Sequence, residues 1–405
     1  METRKNKLGK VIADVSYIKI NASTLYFVAF TLYLTVAFLK TTMITEYLSA
    51  HILNYGAYLA MGILFFKWLF FSEFTKQQLI SEMLVIVFSG LSWVKSGDPL
   101  AFYMAMLVIT ARGQDFKEIL KWYVILSSII LLLTILLSEI SIIKNLSYVR
   151  LGHIRQAFGI VYPTDFASHV FYLLLAYCYL GFHSIKMKHY LILFVIAIFI
   201  YYLTDARLDT ILILAIIPVM MLARKKQYAT FDSLGILNYS WMVTWILAYL
   251  AVTASIFYSA KGPLSFINKL ISSRISLSHG GFTEYGVSVI GQPVKEYGWG
   301  GLKGFKNFIV GGQLHQYFML DSSFIRLLLI YGTIMFLITI IAVSYTALKA
   351  VKIKNFALIA VFSLVALSCL IDQHMLELAY NPFYIAIYAS IETGTQLYKR
   401  VGITS

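Results

Sequence analysis

Charge-poor apolar stretches return along the whole chain. They lie at about 24–40, 53–71, 79–95, 99–111, 119–138, 163–182, 190–204, 208–223, 241–258, 323–347, 356–371 and 383–397. A helix rises about 1.5 Å per residue and a bilayer core is about 30 Å thick, so about 20 such residues make a spanning helix. Twelve runs, several of them short, predict an all-α polytopic integral membrane protein of about 12 transmembrane helices. Composition excludes an ordinary water-soluble enzyme: 60% of the 405 residues are apolar and 13% are charged, against about 45–50% and about 25% in soluble domains. The runs 190–204 and 208–223 flank the polar patch TDAR and read either as two spans or as a helix pair meeting at a buried polar bend.

The net charge of +14 comes from 33 Lys and Arg against 19 Asp and Glu. The basic residues flank the apolar runs, which reads as membrane topology rather than nucleic-acid binding. With the N-terminus placed in the cytoplasm, 20 of the 33 basic residues fall on the cytoplasmic side, and six of the others sit in the long segment 259–322. Long segments obey the charge rule poorly. The expected organisation is therefore a basic cytoplasmic segment over 1–22, a single transmembrane domain over 23–405, and both termini cytoplasmic. One large extracytoplasmic loop, 259–322, is expected between the ninth and tenth helices. The first 20 residues alternate basic and apolar groups, which suits a short helix on anionic lipid as well as a free basic tail. No small-residue cleavage site follows the first apolar run, so no removable signal is expected. The loop is rich in Gly and aromatic residues, and its aromatic content argues against disorder.

Four arginines fall on the outer side against the charge rule: Arg150 and Arg155 in RLGHIRQAFG, Arg207 in TDARLDT, and Arg274 in the long loop. An arginine near the membrane surface is costly unless it pairs or binds a ligand. Guanidinium groups grip phosphate oxygens bidentately, so several converging on one outer cavity would make a diphosphate site. Asp205 and Asp209 flank Arg207 and read as ion-pair partners that hold it. Acid–base candidates on the same side are His153, His279, His315 and Asp321, with Asp372, His374 and Glu377 in the last external turn. Asp321 reads equally as the N-cap of the following helix, SSFIRLLLIYG, and as a catalytic group. There is no HExxH, DxD or Cys/His cluster and no P-loop, so neither a metal nor another cofactor is expected. Cys178 and Cys369 lie inside apolar runs and read as small buried hydrophobes.

Four elements in order carry a resemblance. LDSSFIRLLLIYG (320–332), ISSRISLSHGGFTEYGVSVIG (271–291), RQAFGIVYPTDFA (155–167) and TDARLDTIL (204–212) resemble stretches of bacterial polysaccharide repeat-unit polymerases of the Wzy type, in the O-antigen polymerase and ligase superfamily. Thr164 and Asp165 stand where that pattern usually has Asn after the proline. The resemblance implies a GT-C-like fold in the bacterial cytoplasmic membrane. It also implies metal-independent glycosyl transfer, in which repeat units on an undecaprenyl-type diphosphate lipid are joined into capsule, exopolysaccharide or O-antigen. In that reading Arg150, Arg155, Arg207 and Arg274 hold the diphosphate, with Asp205, Asp209 and Tyr317 in support. His315 or Asp321 takes the proton of the acceptor hydroxyl. Tyr285, Tyr297, Trp299 and Tyr317 are candidates for stacking on sugars. Implied partners are the undecaprenyl-diphosphate-linked oligosaccharide, membrane lipid, a chain-length regulator and a flippase, and no nucleic acid. Two other readings stand beside it: a flippase for the same lipid-linked oligosaccharide, and an O-antigen ligase.

Overall fold

The computed structural model describes residues 21–150, 152–228, 235–311 and 317–392. The chain opens with α1 (Ala22–Leu39), α2 (Ala50–Phe71), α3 (Lys76–Ser96), α4 (Leu100–Thr110) and α5 (Phe116–Glu139). A hairpin of β1 (Ser147–Arg150) and β2 (His153–Gln156) follows, then α6 (Pro163–Leu180), α7 (Met187–Thr204), α8 (Arg207–Gln227) and α9 (Val243–Ile256). The long segment holds α10 (Leu264–Leu270), α11 (Arg274–Tyr285) and α12 (Gly301–Gly311), and α13 (Ser323–Leu329), α14 (Gly332–Lys352) and α15 (Phe356–Ser368) come after it.

Seven of these helices are long and apolar enough to cross a membrane: α1, α2, α3, α5, α7, α9 counted with its 3₁₀ lead-in from Gly235, and α14. The protein is thus a mostly helical, membrane-embedded chain. The apolar character continues on the exposed faces, at Tyr55, Leu59, Phe66 and Phe70 on α2 and at Leu191, Val195, Ile198 and Tyr202 on α7. A helix apolar on every side belongs in hydrocarbon, where only internal hydrogen bonds can satisfy the backbone.

Local chemistry sets the ends. Asn21 caps α1 by accepting from the Thr24 amide at 2.7 Å. Thr75 and Gln78 form a capping box on α3, and Gly97 ends that helix in the left-handed conformation. Asp115 caps α5 through the Lys117 amide at 2.7 Å.

Two expected runs differ in the structure. The run 323–347 breaks at Ile330–Tyr331 into α13 and α14. The loop segment 288–292 is pinned onto that break: the Gln292 amide donates to Ile330 O at 3.0 Å, and the Thr333 and Ile334 amides donate to Ser288 O and Val289 O at 2.9 and 3.1 Å. Gly291 and Gly332 both have positive φ (128° and 91°), and a Cβ on Gly332 would lie 2.5 Å from Gly291 N. Only glycine fits this crossing.

The run 383–397 carries no α-helix among its described residues. Over Phe383–Ala386 it is apolar because it is buried in protein. From Asp372 the chain descends through the bundle as 3₁₀ turns, His374–Leu376 and Phe383–Ile387, and irregular backbone. It reaches Ser390, which pairs with Gln114 O and Phe116 N beside the start of α5. Leu378, Tyr380, Asn381, Phe383, Tyr384 and Ile385 are all buried. Such backbone is tolerated at this depth only when its polar groups are met. Tyr123 Oη donates to Tyr380 O at 2.6 Å, and the Asn381 amide group donates to Met375 O at 2.8 Å.

Candidate functional site

One polar cavity of about 960 Å³ opens at the hairpin end of the bundle. The β hairpin, the start of α6, the corner between α10 and α11, and the strand-like pieces around Gly298 and Tyr317–Asp321 supply its walls, with Gln373 behind them. Three guanidinium groups, Arg150, Arg155 and Arg274, and two carboxylates, Asp165 and Asp321, line it.

The hairpin presents Arg150 and Arg155. Its register pairs Tyr148 with Arg155 and Arg150 with His153, and Gly152 takes a positive φ of 80° at the turn. Tyr148 Oη ties the hairpin to the long segment by donating to Trp299 O at 2.7 Å. Arg155 is buried, with 4% of its surface exposed. Its Nε donates to Thr204 O at 2.7 Å, the carbonyl that ends α7, where the helix dipole favours a cation. Its Nη1 lies 3.4 Å from Tyr162 Oη, and the guanidinium sits 5.4 Å from the centre of that ring. No carboxylate forms an ion pair with Arg155 among the described residues. A buried cation of this kind is costly and calls for an anion.

The other arginines are paired. Asp205, in the left-handed conformation (φ 44°) at the end of α7, holds Arg207 Nε at 3.1 Å and Arg150 Nη1 at 3.8 Å. Arg207 does not line the cavity, and its side chain is 49% exposed. Asp209 turns away from Arg207 and is buried, accepting from Ser168 Oγ at 2.8 Å. The reading of Asp205 and Asp209 as joint partners of Arg207 is therefore corrected to Asp205 alone. One helical turn beyond the cap, Asp209 faces the bundle interior.

Arg274 begins α11 after two consecutive non-glycine residues with positive φ, Ser272 (57°) and Ser273 (67°). Asn268 stabilises that corner: its carbonyl oxygens accept from the Ser273 and Ser276 amides at 2.7 and 3.0 Å. The Arg274 guanidinium donates to Asp321 Oδ2 at 3.0 Å and reaches Asp372 Oδ1 at 3.9 Å. Burial works against its charge, but Asp321 and Asp372 hold it firmly protonated. The expected N-cap role of Asp321 is not found. Ser322 occupies the cap of α13, without a side-chain cap bond, because Arg274 takes the Asp321 carboxylate. Burial pushes the Asp321 carboxyl up, and Arg274 offsets part of that shift.

Tyr317 lines the cavity with its ring tilted against Trp299 at 4.4 Å. Burial, reinforced by Asp321, keeps its phenol protonated. Tyr285 and Tyr297 do not line the cavity. His315 lies outside the described residues. His153 sits exposed at the hairpin turn, and His279 Nδ1 is 2.9 Å from Ser255 O, away from the cavity. Tyr162, Ser272 and Ser273 lie within the stretches that carry the resemblance but are not singled out there, Gln373 carries no pattern in the chain, and Asp165 figures in the sequence only as a departure from a motif. Among the described residues no group of three or more His, Cys, Asp and Glu is placed to hold a metal.

Fold and site together define an α-helical membrane protein with an arginine-lined polar cavity at one end of its bundle. No family model, curated protein or solved structure matches the chain.

Proposed function

We propose that the protein polymerises oligosaccharide repeat units carried on an undecaprenyl-type diphosphate lipid, by glycosyl transfer at the outer face of the bacterial cytoplasmic membrane. In this reading the cavity faces outward, both termini are cytoplasmic, and the short helices α4 and α15 together with α6 and α8 complete the membrane domain. One observation carries the reading: a buried guanidinium with no carboxylate partner among the described residues, Arg155, stands in the wall of a polar cavity. The volume of about 960 Å³ lies at the upper end of the ~300–1,000 Å³ common for small-molecule sites.

The chemistry has three needs. Charge building on the departing diphosphate must be stabilised, and a preorganised guanidinium does this without reorganisation. Arg155 is the anion-seeking group, with Arg150 at the rim and the uncapped start of α6 adding partial positive charge. The sugars need flat apolar faces, which Trp299, Tyr317 and Tyr162 offer. The acceptor hydroxyl needs a base. Attack from the face opposite the leaving diphosphate inverts the anomeric centre, and retained configuration in the product by NMR contradicts that step.

The flippase reading has less support. Behind Asp165, which lines the cavity, His374 belongs to a run of stacked rings in the core, Phe38–His169–Tyr380–His374, with centroids 4.2, 4.0 and 3.7 Å apart. The charged side chains of the cavity gather at one end of the bundle. The test is direct: purified protein is incubated with lipid-linked repeat units, with and without EDTA. A ladder of longer lipid-linked glycans that survives chelation supports polymerisation, and unchanged single repeats contradict it. In a deletion strain, single-repeat glycans at the surface fit a lost polymerase, whereas no surface glycan fits a lost flippase.

A further inference from the structure

Two carboxylates line the cavity, and their surroundings differ. Asp321 is engaged by the Arg274 guanidinium at 3.0 Å. Asp165, in the first turn of α6, has no hydrogen bond to any described residue, and its nearest charged neighbour is His374 Nε2 at 3.9 Å. Its side chain is 17% exposed, so it is reachable from the cavity.

His374 is built to stay where it is. It is buried, stacks on Tyr380 at 3.7 Å, and its Nδ1 lies 3.3 Å from Glu377 Oε1. A carboxylate behind one ring nitrogen leaves the other to face Asp165. This carboxylate–imidazole–carboxylate line is set by the irregular descent of residues 372–381, because a helix there would carry His374 and Glu377 on one face with Tyr380 displaced from the ring. Burial alone would strip the imidazole of its proton, but Glu377, with Asp165 and Asp372, lifts its pKa to about 9. A cation therefore stands behind Asp165 at neutral pH. Burial pushes the Asp165 carboxyl up to about 7, His374 pulls it back, and Glu377, Asp372 and Asp321 add to the rise.

We propose that Asp165 is the catalytic base for the acceptor sugar, and that His374, held by Glu377, is the positioning residue that sets a cation behind its carboxylate. This rests on the polymerase reading above. In the step, the acceptor hydroxyl oxygen forms a bond to the donor's anomeric carbon. The bond from that carbon to the phosphate oxygen breaks, and the electron pair leaves with the lipid diphosphate. The hydroxyl proton passes to the Asp165 carboxylate and then to solvent. Asp321 acts on the other partner, by fixing Arg274 in the cavity wall. The charged and titratable groups facing Asp165 are His374, Glu377, Asp372 and Asp321, with the Tyr148, Tyr162 and Tyr317 phenols around it and Arg155 in the same cavity.

The test uses the full-length protein in detergent with lipid-linked repeat units, and reads ladder formation and donor binding separately. Asp165→Asn lowers kcat about 100-fold or more and leaves the KM for the lipid-linked repeat within about threefold, and Asp165→Glu recovers part of the rate. His374→Gln moves the acid limb of the kcat–pH profile to higher pH by about one unit, because the carboxylate loses its cation; Glu377→Gln moves it the same way by less. Wild-type protein that builds no ladder overturns the polymerase reading itself. A wild-type ladder with an undiminished Asp165→Asn rate overturns the base assignment alone, as does loss of donor binding in that variant or an acid limb unmoved by both supporting substitutions.

Discussion

The two ends of the helical bundle both bury cations, and they treat them differently. At the end away from the cavity, Arg112 closes on Glu82, a carboxylate that is 1% exposed and also accepts from Trp68 Nε1 at 2.8 Å. Beside it, Lys67 is buried and donates to Thr110 O at 2.6 Å. Arg155 at the cavity end and Lys67 both have a backbone carbonyl and no carboxylate partner among the described residues. Lys67 does not line the cavity, whereas Arg155, with a carbonyl and a phenol for partners, stands in its wall. A closed pair holds helices together, whereas a buried guanidinium left open to a polar cavity awaits an anion from outside.

Substitution at the two ends should separate these roles. Arg155→Ala is expected to cut polymer per unit of membrane-inserted protein about 100-fold or more, with a near-normal Tm in detergent. Arg155→Lys recovers little, because an ammonium cannot make the forked contact. Wild-type chain length in either variant breaks the contrast. Arg207→Ala, at an exposed residue outside the cavity lining, should cost far less.

Arg112→Ala strands the buried Glu82 and is expected to cost about 3 kcal/mol of stability or more, read as a lower Tm, while activity per folded molecule holds. Equal losses of activity at Arg112 and Arg155 would erase the distinction between the ends.

A smaller effect sits at the break between α13 and α14. Gly332→Ala forces a Cβ onto the Gly291 backbone at a positive φ and should cost about 1–3 kcal/mol, read as lower Tm and faster proteolysis in the 286–300 segment. An unchanged Tm would show that the segment is not pinned there.

Another effect is with pH. His374 has its folded pKa raised to about 9, above the ordinary value near 6.5. The stability it confers is fully present below about pH 6.5 and is lost as pH rises through 9. The Tm should therefore fall over that window, and less so in Glu377→Gln. A Tm that rises there contradicts the charge placed behind Asp165.

Much of this fold was legible in the sequence because lipid imposes a simple rule on composition. The runs that became α1, α2, α3, α5 and α7 were readable as uninterrupted apolar length. What was not legible came from tertiary contacts. Residues 383–387 are as apolar as a span, yet they form a buried 3₁₀ turn, and apolarity alone does not tell lipid from protein interior. The break at Ile330–Tyr331 depends on Gly291, some 40 residues upstream. At the site, the unusual side of the charge rule singled out the arginines, three of which share the cavity. The Asp205–Arg207 pair was readable from the chain, but nothing in the spacing showed that Asp205 would also reach Arg150 or that Asp321 would go to Arg274. Those pairings join segments far apart in the chain.

The central claim is that Arg155 is held open for the diphosphate of a lipid carrier. Its most direct test is the Kd of undecaprenyl diphosphate for the purified protein, by native mass spectrometry, in wild type, Arg155→Ala and Arg112→Ala. The account predicts binding weakened about tenfold or more by Arg155→Ala and unchanged by Arg112→Ala. Equal affinity in all three would contradict it.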